Sequence, residues 1–268
     1  MSLLFKAAVM GIVEGITEFL PISSTGHMII VGDFIDFKGN SFHTMFEIVI
    51  QLGAILAVVY YYRYKIIDSI KHIRPGEKGF ELWFKIFIAF LPAAVIGLLI
   101  NDVIEKYLFS SFTVAIALVV GGFLMILAEN YFGRSGLNDM DKTDLGQAFI
   151  IGIGQCLALI PGMSRSASTI MGGMAAGLSV KAAAEFSFFL AIPTMVAATG
   201  FSLFKGYSGT SPLELQALVV GFVVSFIVAL LAVDRFLSYL KQHSLKPFAY
   251  YRIVVGIIMI LLITTGIL

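Results

Sequence analysis

Six stretches of this chain, near 42–62, 82–102, 110–130, 182–203, 214–234 and 249–268, run apolar with little or no internal charge. Spanning the hydrocarbon of a bilayer takes about 20 such residues in a helix, and each stretch has that length. Lipid leaves few other choices, because a spanning segment must satisfy every backbone polar group within itself or within a closed barrel. Composition points the same way: 59% of the 268 residues are hydrophobic and only 13% are charged. A soluble protein of this size presents far more charge to water, so a water-soluble helical bundle is excluded. A net charge of +1 and the lack of any basic run likewise give no footing for nucleic acid.

The two remaining apolar segments, 1–22 and 145–163, run directly into PISSTGH at 21–27 and PGMSRSAST at 161–169. Proline cannot continue the helical ladder and pushes the residue before it out of helical geometry. Pro21 and Pro161 therefore end their helices at membrane depth, where unbonded backbone survives only if protein or a wet cavity surrounds it. Each segment reads as a re-entrant pair, with a second short helix at 24–34 or 165–177 leaving on the side of entry. Glu14 and Glu18 interrupt what would be the apolar core of a secretory signal, and no small-residue cleavage site follows, so the first residues are expected in the mature protein. Cys156 is the single cysteine, which excludes an internal disulfide.

Loop charge sets an expected orientation. Segment 63–81 holds Arg63, Lys65, Lys71, Arg74 and Lys78, and segment 235–248 holds Arg235, Lys241 and Lys246, so both belong on the cytoplasmic side. Threading six spans under this constraint puts 131–144 inside, and 28–41, 103–109, 204–213 and both termini outside. The first re-entrant pair then opens outward and the second inward. The predicted fold is an all-α polytopic membrane protein, a single domain over 1–268, with six spans and two re-entrant hairpins. The arrangement is an inverted repeat of about 1–130 and 145–268. EGITEFLPISSTGH at 14–27 resembles QCLALIPGMSRSAS at 155–168, and FEIVIQLGAI around Glu47 resembles AEFSFFLAIP around Glu185. Inverted repeats place sites where broken helices meet.

The polar residues at the breaks are those that can do chemistry. Glu14 and Glu18 share one helical face, a turn apart. In an apolar helix two carboxylates must be protonated, paired or bound to metal, and an all-oxygen site suits Mg²⁺ or Ca²⁺. Arg165 lies among Ser164, Ser166, Ser168 and Thr169. Its planar fork matches phosphate oxygens, and the hydroxyls and N–H groups opening the following helix add donors. A structural ion pair between Arg165 and Glu14 or Glu18 is the plainer alternative. His27 follows Ser23, Ser24, Thr25 and Gly26, and it can move a proton or attack phosphorus. Cations, a nucleophile and a proton donor are the parts that phosphoryl transfer needs. The P-loop and dinucleotide glycine patterns are both absent. A hydrolase of a membrane-resident phosphate ester or anhydride fits. So does a transporter of an anion or coupled ion, which would use the same helix ends and the same arginine.

GIVEGITEFLPISSTGHMIIVG at 11–32, FEIVIQLGAILAVV at 46–59, QCLALIPGMSRSAST at 155–169 and AEFSFFLAIP at 184–193 together resemble the bacterial undecaprenyl-diphosphate phosphatases associated with bacitracin resistance. The resemblance covers nearly the whole chain. It implies hydrolysis of undecaprenyl diphosphate to the monophosphate and phosphate, which recycles the carrier lipid for cell-wall synthesis. It also implies a divalent cation, Mg²⁺ or Ca²⁺, a homodimer, and a site facing the outer side of the bacterial plasma membrane. The family's paired glutamates match Glu14 and Glu18, its serine and histidine match Ser24 and His27, and its arginine motif matches Ser164, Arg165 and Thr169. Ala167 stands where glycine is frequent in the family. On this reading Arg165, Ser164, Ser166, Thr169 and Ser24 bind the diphosphate, and Glu18 with Glu14 holds the cation. His27 is favoured as nucleophile; Ser24 with His27 as its base, and water activated by a glutamate, are the other routes.

Overall fold

The computed structural model describes residues 1–37, 41–108, 110–133, 136–204 and 211–267. Among them are eleven α-helices: α1 (Leu3–Thr17), α2 (Ser24–Phe34), α3 (Ser41–Tyr61), α4 (Arg63–Lys71), α5 (Lys78–Tyr107), α6 (Ser111–Phe132), α7 (Leu145–Gln155), α8 (Arg165–Ala175), α9 (Val180–Phe204), α10 (Pro212–Leu240) and α11 (Lys246–Thr264). No strand occurs among the described residues, and Leu137 and Leu178 make an isolated bridge. Helices α3, α5, α6, α9, α10 and α11 are the six long enough and apolar enough to cross a membrane, matching the six predicted stretches. Leu99, Phe123, Val219, Leu231 and Leu261 stand exposed on them, which in a multi-pass membrane protein is the face lipid covers. The basic segment after α3, read as loop, forms the short helix α4. Of the predicted outer loop 204–213, residues 205–210 lie outside the described residues, as do 38–40 in the loop after α2, 109 before α6 and 134–135 after it.

Both predicted breaks are present. Helix α1 stops at Thr17, four residues before Pro21, the distance at which the proline ring meets the carbonyl behind it. Helix α7 stops at Gln155 and tightens into a 3₁₀ turn, Cys156–Leu159, ahead of Pro161. The partner helices start at Ser24 and Arg165 as expected.

Each broken pair folds back on itself. Lys6 near the start of α1 donates to the carbonyl of Asp36, just past α2, at 2.6 Å. Gln147 at the start of α7 donates to the carbonyl of Ala176, just past α8, at 2.9 Å. The open end of the first pair thus lies near the start of α3. The second pair opens beside the Leu137–Leu178 bridge, in the connection whose Asp141 carboxylate meets Lys65 of α4 at 2.7 Å, at the far end of α3.

Glycine lets the broken helices dock closely. A Cβ on Gly11 or Gly15 of α1 would stand 2.7 Å from the Gly221 carbonyl or 2.8 Å from the Ser225 carbonyl of α10. A Cβ on Gly152 of α7 would stand 2.5 Å from the Ala89 carbonyl of α5. Helix α1 therefore packs closely on α10, and α7 on α5. Helix α9 runs through the core, with Ala182, Phe186, Phe188, Phe189 and Leu190 fully buried, and packs on α3, α5 and α8.

Candidate active site

The two breaks share one backbone geometry. Ser23 and Ser164 are non-glycine residues in left-handed conformation, with φ of 71° and 70°. Each caps the helix that follows: Ser23 Oγ accepts from the Gly26 N–H and Ser164 Oγ from the Ala167 N–H. Strain of this kind persists where surrounding contacts fix it and gathers at functional sites. The helix N-termini so formed supply unpaired N–H groups, which favour anions. The breaks touch directly, since Ser166 Oγ donates to the Leu20 carbonyl at 2.9 Å.

Glu18 joins them chemically. Its Oε1 accepts from Arg165 Nη2 at 2.9 Å, and its Oε2 accepts from the Ser24 hydroxyl at 2.7 Å. Both side chains of the ion pair are largely buried, at 6% and 13% exposed, so water screens the pair little. Arg165 Nη1 donates to the carbonyl and hydroxyl of Ser187 on α9, while its buried Nε has no hydrogen-bond partner among the described residues. The guanidinium is thus held through both terminal nitrogens, with one donor left over.

Glu18, Ser23, Ser24, Ser164, Arg165 and Thr194 line a polar cavity of about 220 Å³. Arg165 and Thr194 also border an apolar cavity of about 420 Å³ walled by Phe90, Leu98, Leu159 and Ala197. On the other side, Ser24, Thr25 and Gln51 are shared with a cavity of about 480 Å³ that contains Glu14, His43 and Glu47. Polar chemistry thus sits between an apolar space and an acidic one.

The sequence-predicted residues fall into three groups. Glu18, Ser24, Ser164 and Arg165 share the polar cavity. Glu14 lines the acidic cavity instead, 4% exposed. Ser166, Thr169 and His27 do not line the polar cavity. Ser166 is spent on Leu20; Thr169 is fully buried, bonded to Ser187 Oγ at 2.6 Å and to the Arg165 carbonyl at 2.8 Å. His27 has both ring nitrogens engaged, Nδ1 with the Ser23 carbonyl and Nε2 with the Tyr251 hydroxyl, each at 2.8 Å. A carbonyl only accepts, so Nδ1 carries a proton, and in the neutral ring Nε2 accepts from tyrosine. At the matching positions of the two similar stretches, Glu47 lines the acidic cavity near His43, and Glu185 pairs with Lys181 at 3.4 Å.

Among the described residues no three His, Cys, Asp or Glu side chains converge to enclose a metal ion. The donor set still fits a hard cation held partly by substrate: Glu14 Oε1 is buried with no hydrogen-bond partner, and Mg²⁺ is commonly held by one or two carboxylates plus phosphate oxygens. Glu18 is less free, with each oxygen already accepting a hydrogen bond.

Gln51, Ser187, Thr194, Tyr251 and Arg252 surround or support the site without having stood out in sequence. Arg252 alone carried a usable signal, a charge inside an apolar span. Thr194 hides its hydroxyl by donating to the Leu190 carbonyl of its own helix, a pattern that marks no site.

A model of the family described as bacitracin resistance protein BacA matches residues 7–258. A protein named undecaprenyl-diphosphatase from Thermoanaerobacter sp. (strain X514) is 69% identical, over 98% of each chain. Proteins of the same name from Caldanaerobacter subterraneus subsp. tengcongensis and Clostridium tetani are 66% and 50% identical, each over 98% of this chain and 97% of theirs.

Proposed function

The chain belongs to the bacitracin resistance protein BacA family, and from that premise we propose that it hydrolyses undecaprenyl diphosphate to undecaprenyl phosphate and inorganic phosphate. The reaction returns the carrier lipid to cell-wall synthesis and underlies bacitracin resistance. The observation that carries the mechanism is the Glu18 carboxylate bridging the Ser24 hydroxyl and the Arg165 guanidinium.

The diphosphate occupies the polar cavity and the prenyl chain leaves through the apolar space that shares Arg165 and Thr194 with it. Arg165 Nε, the Ser164 hydroxyl and the N–H groups opening α2 and α8 bind phosphate oxygens, where fixed donors in a dry site stabilise developing charge. Phosphate drawing on the guanidinium weakens its hold on Glu18. The carboxylate then takes the Ser24 proton as Oγ attacks the terminal phosphorus, and the bond to the bridging oxygen breaks, releasing undecaprenyl phosphate. Water next attacks the phosphoserine; both of its protons leave on the phosphate as dihydrogen phosphate, and Glu18 returns its proton to the departing Oγ. Glu14 would hold a divalent cation, Mg²⁺ or Ca²⁺, which would supply neutralisation of diphosphate charge. His27, with both nitrogens engaged, orients the break instead of attacking.

Both broken pairs are re-entrant in this proposal and form an inverted repeat in the bacterial plasma membrane, with the site reached from the outer side. Their opening at opposite ends of α3, with tips in contact, supports that arrangement. A homodimer belongs to the same proposal and rests on the resemblance alone; cross-linking in intact membranes checks it.

Purified protein in detergent has no two compartments, so release of phosphate there from undecaprenyl diphosphate is catalysis. Intact lipid binding without release would mean a carrier instead. Quenching turnover of terminally ³²P-labelled substrate is expected to trap acid-stable, alkali-labile label that Ser24→Ala removes. Acid-labile label would transfer the attack to His27, and no label at all would leave it to water.

A further inference from the structure

Arg252 of α11 is fully buried, 0% exposed, and makes no salt bridge with any described carboxylate. Its guanidinium is satisfied by carbonyls from three places. Nε and Nη2 donate to Leu118 and Ala117 of α6 at 3.1 and 3.3 Å. Nη1 reaches the Pro21 carbonyl in the first break at 3.4 Å, and Nη2 the Gly162 and Met163 carbonyls in the second, both at 3.0 Å. Room is left for it, since a Cβ on Gly121 of α6 would collide with Nη2. A full charge buried without a carboxylate is costly, and neutral packing would fill the space more cheaply.

The Met163 carbonyl belongs to the peptide that leads into Ser164, the strained left-handed residue lining the polar cavity. That peptide is trans, so its N–H points away from its carbonyl. Holding the carbonyl toward α11 turns the Ser164 N–H to the opposite side. Next to Arg252, the Tyr251 hydroxyl holds His27 in the first break. One turn of α11 therefore grips both breaks from behind.

We infer that Arg252 is a positioning residue of the hydrolase site: its guanidinium fixes the two breaks against each other and turns the Met163–Ser164 peptide so that its N–H faces the substrate cavity. The inference rests on the proposed hydrolase reading for its kinetic consequence only. The spacing of the breaks is independent of catalysis.

Arg252→Gln and Arg252→Lys are compared with wild type as monodisperse detergent-purified protein, reading kcat and KM for phosphate release. Arg252→Gln is expected to lower kcat by about 100-fold, the scale of an ångström misplacement, with KM within about 3-fold. Arg252→Lys, with three donors, restores part of the loss and stands in if the glutamine variant does not fold. Spin labels on Thr25→Cys and Ile160→Cys, in a Cys156→Ser background, report the separation of the two breaks by double electron–electron resonance. Arg252→Gln or Arg252→Lys should broaden or shift that distribution. An unchanged distribution, or a kcat loss no greater than the loss of folded protein, overturns the role of Arg252. A wild type that releases no phosphate overturns the hydrolase reading instead, and the label distances still decide the clamp.

Discussion

Glu18 has two partners that a single substitution separates. Arg165→Ala removes the phosphate ligand and leaves the Glu18 carboxylate its bond from the Ser24 hydroxyl, so phosphate release should fall about 100-fold or more while protein accumulation in the membrane holds. Equal falls in both would make the pair structural. Glu18→Ala strands the guanidinium, which cannot discharge, and should cost roughly 3 kcal/mol in thermal stability as well as activity. Comparing the two melting temperatures checks this asymmetry. At Glu14, whose buried Oε1 lacks a donor, Glu14→Gln should raise the Mg²⁺ or Ca²⁺ concentration needed for half-maximal activity by about 10-fold after chelation and titration back. An unshifted titration would remove Glu14 from the cation's ligands. Glu14, Glu18 and Arg165 were legible as single residues because charge in an apolar run is expensive and demands a reason. Thr194 was not, because its hydroxyl can satisfy itself on its own helix, nor was Ser187, because the Arg165 and Thr169 side chains that bond its hydroxyl lie far from it in sequence.

At the scale of elements, proline is informative only with its neighbours. Pro21 and Pro161 precede Ser23 and Ser164, which cap a new helix, and there the chain breaks. Pro92 and Pro193 lie inside α5 and α9, where apolar helix-compatible residues follow and the helix continues. The close docking of α1 on α10 gives the sharpest test of an element. Gly15→Val puts branched carbon against the Ser225 carbonyl and Val228, and the overpacking should cost about 1–3 kcal/mol. Because α1 carries Glu14 and Glu18, activity should fall further than the thermal shift alone explains. Fully retained activity would show that α1 tolerates displacement without disturbing the site. Helix α4 was missed in sequence because the cationic residues that mark a cytoplasmic segment say nothing of its backbone.

For the whole molecule, orientation is the open consequence of the proposal. In a Cys156→Ser background, Thr25→Cys should react with a membrane-impermeant maleimide added to intact cells, and Arg74→Cys only after permeabilisation. The reverse pattern would turn the site to the cytoplasm and undo the threading by loop charge. By itself the sequence determined the six spans, the two breaks and the charged residues placed at them. Each of these is a local cost, of apolar length against lipid or of charge against hydrocarbon, that can be read along the chain. Only the tertiary structure decided that Glu18 holds Arg165 across 147 positions, that Ser24 and not His27 faces the shared cavity, and that Arg252 grips both breaks. Those outcomes depend on which helix packs on which, and a carbonyl that accepts a distant guanidinium looks no different in sequence from any other.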